Sequence, residues 1–238
     1  MGNLPHAAQS VYARLVDKIV DNRGGATADS GDRPEDQLRA DIVAGRLLPN
    51  ERLVEADLTQ RLGVGRAAVR TALARLEHEG LVELEPHRGA RVRRVALGEA
   101  VEILQARAVL EGLAVRRAAT QATEEDVVAL RAILVEMRRL LDAGDLVGAS
   151  DTNAVLHKRL REIGGHETAN RLIAGLRSQL VRFEYRTILV PGRSEHSFAE
   201  HTAIVDAIAA RDPRAAEEAM RTHLSHVAEA LRRSQERE

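Results

Sequence analysis

Residues 58–82, LTQRLGVGRAAVRTALARLEHEGLV, constrain the fold most strongly because their apolar pattern describes two short helices joined by a tight turn. Apolar residues recur at the spacings of three and four that place side chains on one face of a helix. They are Leu58, Leu62, Val69, Leu73 and Leu76. The glycines of the segment 63–65 interrupt the pattern after its second member. A helix, a tight turn and a second helix predict a helix-turn-helix unit.

A β-hairpin is predicted directly after the second helix. The periodicity changes to two in residues 81–85 and again in 90–95, and a Pro-His-Arg-Gly turn separates the two segments. A hairpin in this position is typical of the wing of a winged helix-turn-helix domain, with Arg88 and Gly89 at its tip. Glycine there lets the backbone approach a phosphate closely. Arg88 and Arg91 are expected to add affinity for phosphates.

The second helix of the unit is basic. It carries Arg66, Arg70 and Arg75, and no acidic residue precedes Glu77. Arginine-rich helices are commonly just solvated faces, but the turn glycine, the apolar spacing and the following hairpin together favour a helix that enters the major groove of DNA. We therefore expect Arg66 and Arg70 to read bases and Arg75 to add phosphate affinity.

After the hairpin, every segment of the sequence has helical periodicity. The predicted helices cover 97–119, 123–141, 145–163, 167–190, 195–210 and 213–234. Thr123 opens a sequence that resembles a capping box, and Asp212 is a suitable N-cap before Pro213 at the first helical position. The chain is therefore predicted to be mainly α, with a winged helix-turn-helix domain at 35–95 and an all-helical bundle at 97–238.

The first 34 residues are predicted to form a separate N-terminal arm. Residues 10–21 have a helical pattern, whereas 22–34 are rich in glycine and aspartate without periodicity and predict a loop or a disordered link. A further helix is predicted at 35–45, ending near Gly45.

Composition excludes several classes of protein. The chain has no cysteine, so it has neither a disulfide framework nor a thiolate metal site, which fits a reducing cytoplasm. No apolar run approaches the ~18 residues of a membrane span, and the N-terminus lacks a signal pattern. We expect a soluble, cytoplasmic protein. The net charge of −1 argues against nucleic acid, but residues 38–94 hold eleven arginines against eight acidic residues. Positive charge is therefore concentrated around the helix-turn-helix.

Four residues of the helical bundle predict a metal site. Asn153 and His157 are four residues apart and share a helix face. His201 and His223 lie eleven residues before and after Asp212, so two antiparallel helices would hold them at the same height, roughly 16 Å from the turn. Any single histidine is more often an ordinary surface or core residue. The symmetric pairing favours these, and no metal role is predicted for His6, His78, His87, His166, His196 or His226.

Three imidazoles and one amide oxygen suit a divalent ion. Zinc is the first candidate, and nickel or manganese would also accept this donor set. An octahedral ion would leave positions open for water or for a ligand's carboxylate. Two other readings remain at this point. One is a regulator for which the metal is itself the signal. The other is a metal-dependent enzyme, although no motif places a general base and the winged helix would be unexplained.

The sequence resembles the GntR family of bacterial transcriptional regulators. The stretch LRADIVAGRLLPNERLVEADLTQRLGVGRAAVRTALARLEHEGLVELEPHRGARV resembles its winged helix-turn-helix domain. The stretches ARAVLEGLAVRRAA, NAVLHKRL and AEHTAIVDAIAARDPRAAEEAMRTHL resemble the FCD effector domain of the FadR-like branch. The resemblance implies a homodimeric repressor or activator that binds a palindromic operator in double-stranded DNA, with an affinity altered by a small organic acid.

The resemblance also implies roles for individual residues. Arg66 and Arg70 match base-contacting arginines, and Gly89 matches the glycine of the wing tip. The metal-ligand positions of the family are matched by Asn153, His157, His201 and His223. Arg107 matches an arginine on the first effector-domain helix, where it would bind a carboxylate or form a structural salt bridge.

Three departures from the family pattern affect these expectations. Position 153 is more usually aspartate, so the neutral Asn153 gives the site less negative charge. Gly65 replaces the serine that usually caps the recognition helix. Ala56 stands where some relatives place a further DNA-contacting arginine, so the operator sequence does not follow from the residues.

Overall fold

In a computed structural model, the backbone is described for residues 33–43, 45–85, 88–188 and 190–235. The predicted helix at 10–21 and nearly all of the predicted link at 22–34 lie outside these ranges. The chain divides into two compact units, one ending at Val95 and the other beginning at Ala96. No helix in the described ranges is both long and apolar enough to cross a membrane.

The described residues of the first unit form three helices and three short strands. In chain order these are α1 (Pro34–Val43), β1 (Arg52–Leu53), α2 (Glu55–Leu62), α3 (Arg66–His78), β2 (Val82–Glu85) and β3 (Gly89–Val92). The predicted helix-turn-helix and hairpin are both present. Helix α1 ends two residues earlier than predicted, and the second hairpin strand begins at Gly89 and ends at Val92.

The hairpin belongs to a three-stranded antiparallel sheet in the order β1-β3-β2. Leu53 pairs with Ala90, and Val82 pairs with Val92. Strand β1 was not predicted, because two residues are too few to show a period. Its partner is almost forty positions away in the sequence.

A single apolar core holds the first unit together. The buried side chains come from all three helices and the sheet, and the largest of them, Leu38, Leu73 and Leu76, have exposed fractions of 1% or less. Helix α2 ends at Gly63, whose φ of 65° is the left-handed conformation that glycine favours. This reversal turns the chain so that α3 packs across α2.

The described residues of the second unit form six helices. These are α4 (Leu97–Gln121), α5 (Glu124–Asp142), α6 (Leu146–Gly164), α7 (Glu167–Ile188), α8 (Arg193–Ala209) and α9 (Pro213–Gln235). Every one was predicted to within four residues at each end. Helix α4 is central and packs against α6, α7, α8 and α9. Because α6, α8 and α9 all border α4, side chains from these three helices can meet beside it.

The predicted helix starts have the expected caps. The Asp126 backbone N–H donates to Thr123 Oγ1 at 3.1 Å, and the Thr123 N–H donates to Asp126 Oδ2 at 3.0 Å, which completes a capping box. Asp212 Oδ1 accepts hydrogen bonds from the backbone N–H groups of Arg214 and Ala215, each at 3.0 Å. The cap at Asp212 fixes the turn between α8 and α9, on which the predicted height of the two histidines depends.

Candidate functional site

Helix α3 presents its first two arginines to solvent. Val69 and Leu73 are buried on the core side of the helix, whereas Arg66 and Arg70, one turn apart, are exposed at the edge of that buried face. The Arg70 side chain is 72% exposed, and its Nε lies 3.1 Å from Glu55 Oε2 at the start of α2. The two arginines therefore lie where a recognition helix would need them, and Glu55 restricts the orientation of one of them.

The same arginines border a shallow groove between α3 and the wing, which we call the arginine groove. It is lined by Arg52, Val54, Glu55, Ala56, Arg66, Arg70, Leu73, Leu84, Glu85, Arg88 and Gly89. Both Arg52 and Arg88 are exposed, and Arg52 Nε donates to the backbone carbonyl of Arg88 at 3.3 Å. Sequence reasoning missed Arg52, because its position beside the wing depends on the pairing of β1 with β3.

Two arginines expected to contact phosphates have partners inside the first unit. Arg75, in the last turn of α3, is ion-paired with the buried Glu35 of α1. Arg91 donates from Nε to Glu85 Oε1 at 2.8 Å and from Nη1 to the carbonyl of Asn50 at 2.6 Å. These contacts join elements of the unit to one another, so Arg75 and Arg91 have a structural role, and the phosphate contacts expected of them stay a prediction.

Gly89 has a structural reason for being glycine. Its φ is +88°, a conformation that L side chains rarely adopt, and a Cβ there would overlap the carbonyl oxygen of Leu53 on β1. The sequence interpretation assigned this glycine to a close approach to DNA. The structure shows that the approach of β1 alone already requires it.

The three predicted histidines converge in the second unit. His157, His201 and His223 come from α6, α8 and α9, and their candidate ligand atoms all lie within 4.8 Å of one another. The exposed fractions are 4%, 1% and 3%, respectively. Nε2 of His157 lies 3.3 Å from Nε2 of His201. Two nitrogens that each bind one ion at roughly 2.0–2.1 Å would be separated by about this distance, so the cluster fits a shared metal.

A carboxylate orients each of two histidines; the Glu111 side chain is 1% exposed and the Glu200 side chain 13%. Glu111 Oε2 lies 2.8 Å from Nδ1 of His157, and Glu200 Oε2 lies 2.7 Å from Nδ1 of His223. Because an ionised carboxylate only accepts hydrogen bonds, each Nδ1 carries the proton and each Nε2 keeps its lone pair. Carboxylates that fix metal-binding histidines in this way are typical of metal sites.

Burial keeps the three imidazoles neutral. It lowers the pKa of His157, and it lowers the pKa of His201 well below its usual value. The pKa of His223 falls to about 4, although the hydrogen bond to Glu200 opposes the effect of burial. Burial would raise the pKa of Glu200, but hydrogen bonds from His223 and Arg193 outweigh it and bring the pKa to about 2. Neutral imidazoles beside ionised carboxylates are the protonation states that metal binding requires.

The cluster lies beside a cavity of about 150 Å³ that Asn153 and Arg107 also line. Oδ1 of Asn153 and Nδ1 of His201 are buried, and neither has a hydrogen-bond partner among the described residues. Arg107 is 5% exposed and donates from Nε to Glu111 Oε1 at 2.9 Å. All four predicted ligands and Arg107 therefore line one cavity. The salt bridge expected for Arg107 is present, and its binding of a carboxylate stays a prediction.

The sequence did not reveal the orienting residues Glu111, Glu200 and Arg193. Glu111 follows Arg107 by four residues, and this spacing was the available signal for a pair on one helix face. Glu200 immediately precedes His201, yet it contacts His223 and His226 on α9. His226, which is half-exposed, binds the outer oxygen of Glu200 and lies outside the cluster.

Two sequence profiles match the chain, one for each unit. The profile of the bacterial regulatory proteins of the gntR family matches residues 32–92, and the profile of the FCD domain matches residues 102–226. The chain belongs to the gntR family of regulators with an FCD domain. Membership explains why a helix-turn-helix is joined to a helical bundle in one protein.

Two similar proteins are named as transcriptional repressors. The chain is 28% identical over 195 residues to the repressor RspR of Escherichia coli K12, covering 82% of this chain and 86% of RspR. It is 32% identical over 241 residues to the repressor NanR of Citrobacter rodentium, covering 90% and 89% of the two chains. The protein is therefore a DNA-binding transcriptional regulator, and the enzyme reading is wrong.

Solved structures share the fold at lower identity. The E. coli protein McbR/YncC superposes with a TM-score of 0.70 at 20% identity, over 88% of this chain and all of that one. A putative GntR regulator of Rhodococcus sp. RHA1 gives a TM-score of 0.62 at 22% identity, over 84% and 96% of the chains.

Proposed function

We propose that this gntR-family regulator binds one divalent metal ion through Asn153, His157, His201 and His223, with zinc as the first candidate and nickel or manganese as alternatives. The observation that carries the proposal is the convergence of three buried, neutral imidazoles, two of which are oriented by carboxylates. The buried Oδ1 of Asn153 supports it, because leaving such an atom without a partner costs about 1–3 kcal/mol.

The metal would in turn bind a small organic acid that controls the affinity for DNA. The cavity of about 150 Å³ beside the cluster is as large as one that binds benzene, so the acid must be small. A bound divalent ion would supply positive charge and coordination positions for a carboxylate. Arg107 lines the same cavity, and a guanidinium has five N–H donors, so it could contact the acid while it remains paired with Glu111.

On the DNA side, we propose a homodimer that binds a palindromic operator as a repressor of the FadR-like branch. Arg66 and Arg70 would read bases, since both are exposed at the start of α3, and Arg88 and Arg52 would contact phosphates. A two-fold symmetric dimer places two recognition helices on successive major grooves, which predicts two half-sites.

The acid can control DNA binding only if it binds two arrangements of the dimer with different affinities. Helix α4 begins at Leu97 and carries Arg107 and Glu111, so a change at the metal centre would act on the helix that follows the DNA-binding unit in the chain. We propose that this movement alters the separation of the two recognition helices.

A regulator that senses the metal itself is the second candidate. Three histidines and Asn153 already supply the four protein ligands of a closed tetrahedral site, which would need no acid. Release of DNA by the ion alone would favour this candidate.

The test is a selection of DNA from a random pool by the purified protein, followed by a screen of small carboxylic acids for release. We expect a two-fold symmetric consensus, and release by an acid that acts only on metal-loaded protein. Absence of any consensus would contradict sequence-specific binding. Release of equal size from chelator-treated protein would contradict the metal-bound acid.

A further inference from the structure

The buried charges around the histidine cluster cancel before any ion binds. Arg107 and Glu111 form one buried pair, with 2.8 Å between Nη2 and Oε1. Arg193 and Glu200 form a second, largely buried pair, with 2.8 Å between Nη2 and Oε2. Histidine binds a metal as the neutral imidazole, and Asn153 has no charge. A divalent ion bound by these side chains would therefore bring positive charge that no buried group of the described residues compensates.

Charged groups at the edge of the cavity do not compensate the positive charge that the ion would bring. Arg177 and Asp151 line the cavity and have opposite charges. Asp151 is exposed, whereas Arg177 is only partly exposed and acts electrostatically on Glu111 and His157. Because water and salt screen an exposed charge more than a partly buried one, the centre stays positive.

Arg193 has a buried donor that the described residues leave unsatisfied. Its side chain is 8% exposed and lines the cavity, and Nη1 is buried without a hydrogen-bond partner in the described ranges. Nη2 donates to Glu200 Oε2, which also binds Nδ1 of His223. Glu200 thus holds the guanidinium in place next to a metal-binding histidine. A buried charged donor is costly to leave without an acceptor, so Nη1 is expected to find one in a ligand.

We propose that the effector is a dicarboxylate, with one carboxylate at the metal ion and the other accepting a hydrogen bond from Nη1 of Arg193. This inference rests on the metal and acid site proposed above. Two negative charges match the two positive charges of the ion, and a monocarboxylate would leave one charge uncompensated and Nη1 unsatisfied. The cavity of about 150 Å³ limits the acid to roughly four or five carbons. Arg193 is then a specificity-determining residue.

The test compares acids of equal length on the full-length protein, loaded with zinc and freed of excess ion. Isothermal titration calorimetry measures butanoate against butanedioate, and pentanoate against pentanedioate. We expect the diacid of at least one pair to bind about tenfold or more tightly, since a charge-assisted hydrogen bond contributes this much. This comparison uses the natural protein and depends on no variant.

Three variants then locate the second carboxylate. On protein saturated with zinc, Arg193→Gln is expected to weaken the diacid about tenfold more than it weakens the monoacid. Arg138→Gln is the matched control, because Arg138 of α5 pairs with Glu195, which is on the same helix as Arg193, and does not line the cavity. It should change neither affinity. Asn153→Asp adds a negative charge at the ion and should reduce the advantage of the diacid.

The outcomes separate this inference from the function on which it rests. Equal affinities within each pair, or an advantage of the diacid that survives Arg193→Gln, would contradict the dicarboxylate. If zinc and the monoacid bind well and the diacid has no advantage, the proposed function stands and this inference alone is wrong. If neither zinc nor any acid binds, the proposed function itself is wrong.

Discussion

The two units place their functional side chains in opposite environments. In the DNA-binding unit Arg66 and Arg70 are exposed to water, and the Arg70 side chain is 72% exposed. In the helical unit the histidines are buried, and His201 is 1% exposed. An exposed charge is solvated and needs no partner, whereas a buried polar group needs one. The difference implies that the exposed arginines can act one by one in binding DNA, while the proposed metal site would depend on its neighbours as a set.

The largest effect is expected inside the proposed metal site. His157→Ala removes one of four donors, and structural zinc sites with about 10–16 kcal/mol of binding energy lose roughly 3–4 kcal/mol per donor, which is several hundred-fold in affinity. Competition with a chelator measures the zinc affinity of the variant and of the natural protein.

The control is His226→Ala, on the same helix as His223 but half-exposed and outside the cluster. It should change zinc affinity by less than about tenfold. Stoichiometric zinc in dialysed His157→Ala protein would show that the cluster is not the ligand set.

Glu200→Gln tests whether buried donors depend on their neighbours. Glutamine keeps an acceptor for Nδ1 of His223 but loses the negative charge that makes the imidazole a better ligand. We expect zinc affinity to fall about 10–100-fold, measured by the same chelator competition. Glu195→Gln, which removes a carboxylate on the same helix from an exposed pair with Arg138, should have no effect. Equal zinc affinity in both variants would mean that Glu200 does not orient a metal ligand.

Arg66→Ala tests the exposed side of the comparison. Loss of a base-reading arginine should cost about 1–3 kcal/mol and relax the preference at one position of each half-site. Fluorescence anisotropy measures the affinity for the operator and for each of its single-base variants. These affinities give both the loss of binding energy and the change in base preference. Uniform weakening across all operator variants would instead assign Arg66 to a phosphate.

The smallest effect separates two arginines of the DNA-binding unit. Arg88 is exposed beside the arginine groove, whereas Arg75 is paired with Glu35. Arg88→Ala should reduce the slope of log affinity against log salt by about 1, and Arg75→Ala should leave that slope unchanged. A reduced slope in Arg75→Ala protein would restore the phosphate contact expected from the sequence.

Local patterns predicted most of the fold, because helices follow from periodicity and caps that lie within a few residues. The helix-turn-helix, the hairpin and six helices of the second unit all have such signals. Strand β1 and the requirement for glycine at position 89 have no such local signal. Both depend on the approach of Leu53 to a hairpin far along the chain.

The candidate sites show the same division. The equal distances of His201 and His223 from Asp212 predicted that these imidazoles would meet, and their ring centroids lie 4.4 Å apart. The contacts of Glu111 and Glu200 with the histidines were not predictable. Each carboxylate contacts a residue on another helix, and the sequence around the carboxylate carries no pattern that indicates such a partner. The partners of Arg75 and Arg91 were missed for the same reason.

The most direct test of the link between the two units is the affinity of the zinc-loaded protein for its acid, measured with and without saturating operator DNA. Thermodynamic linkage requires each ligand to weaken the other by one common factor, which for coupled sites is about 5–150-fold. We predict that operator DNA weakens acid binding by the same factor by which the acid weakens DNA binding. An acid affinity that is identical with and without DNA would contradict control of the exposed arginines by the buried metal centre.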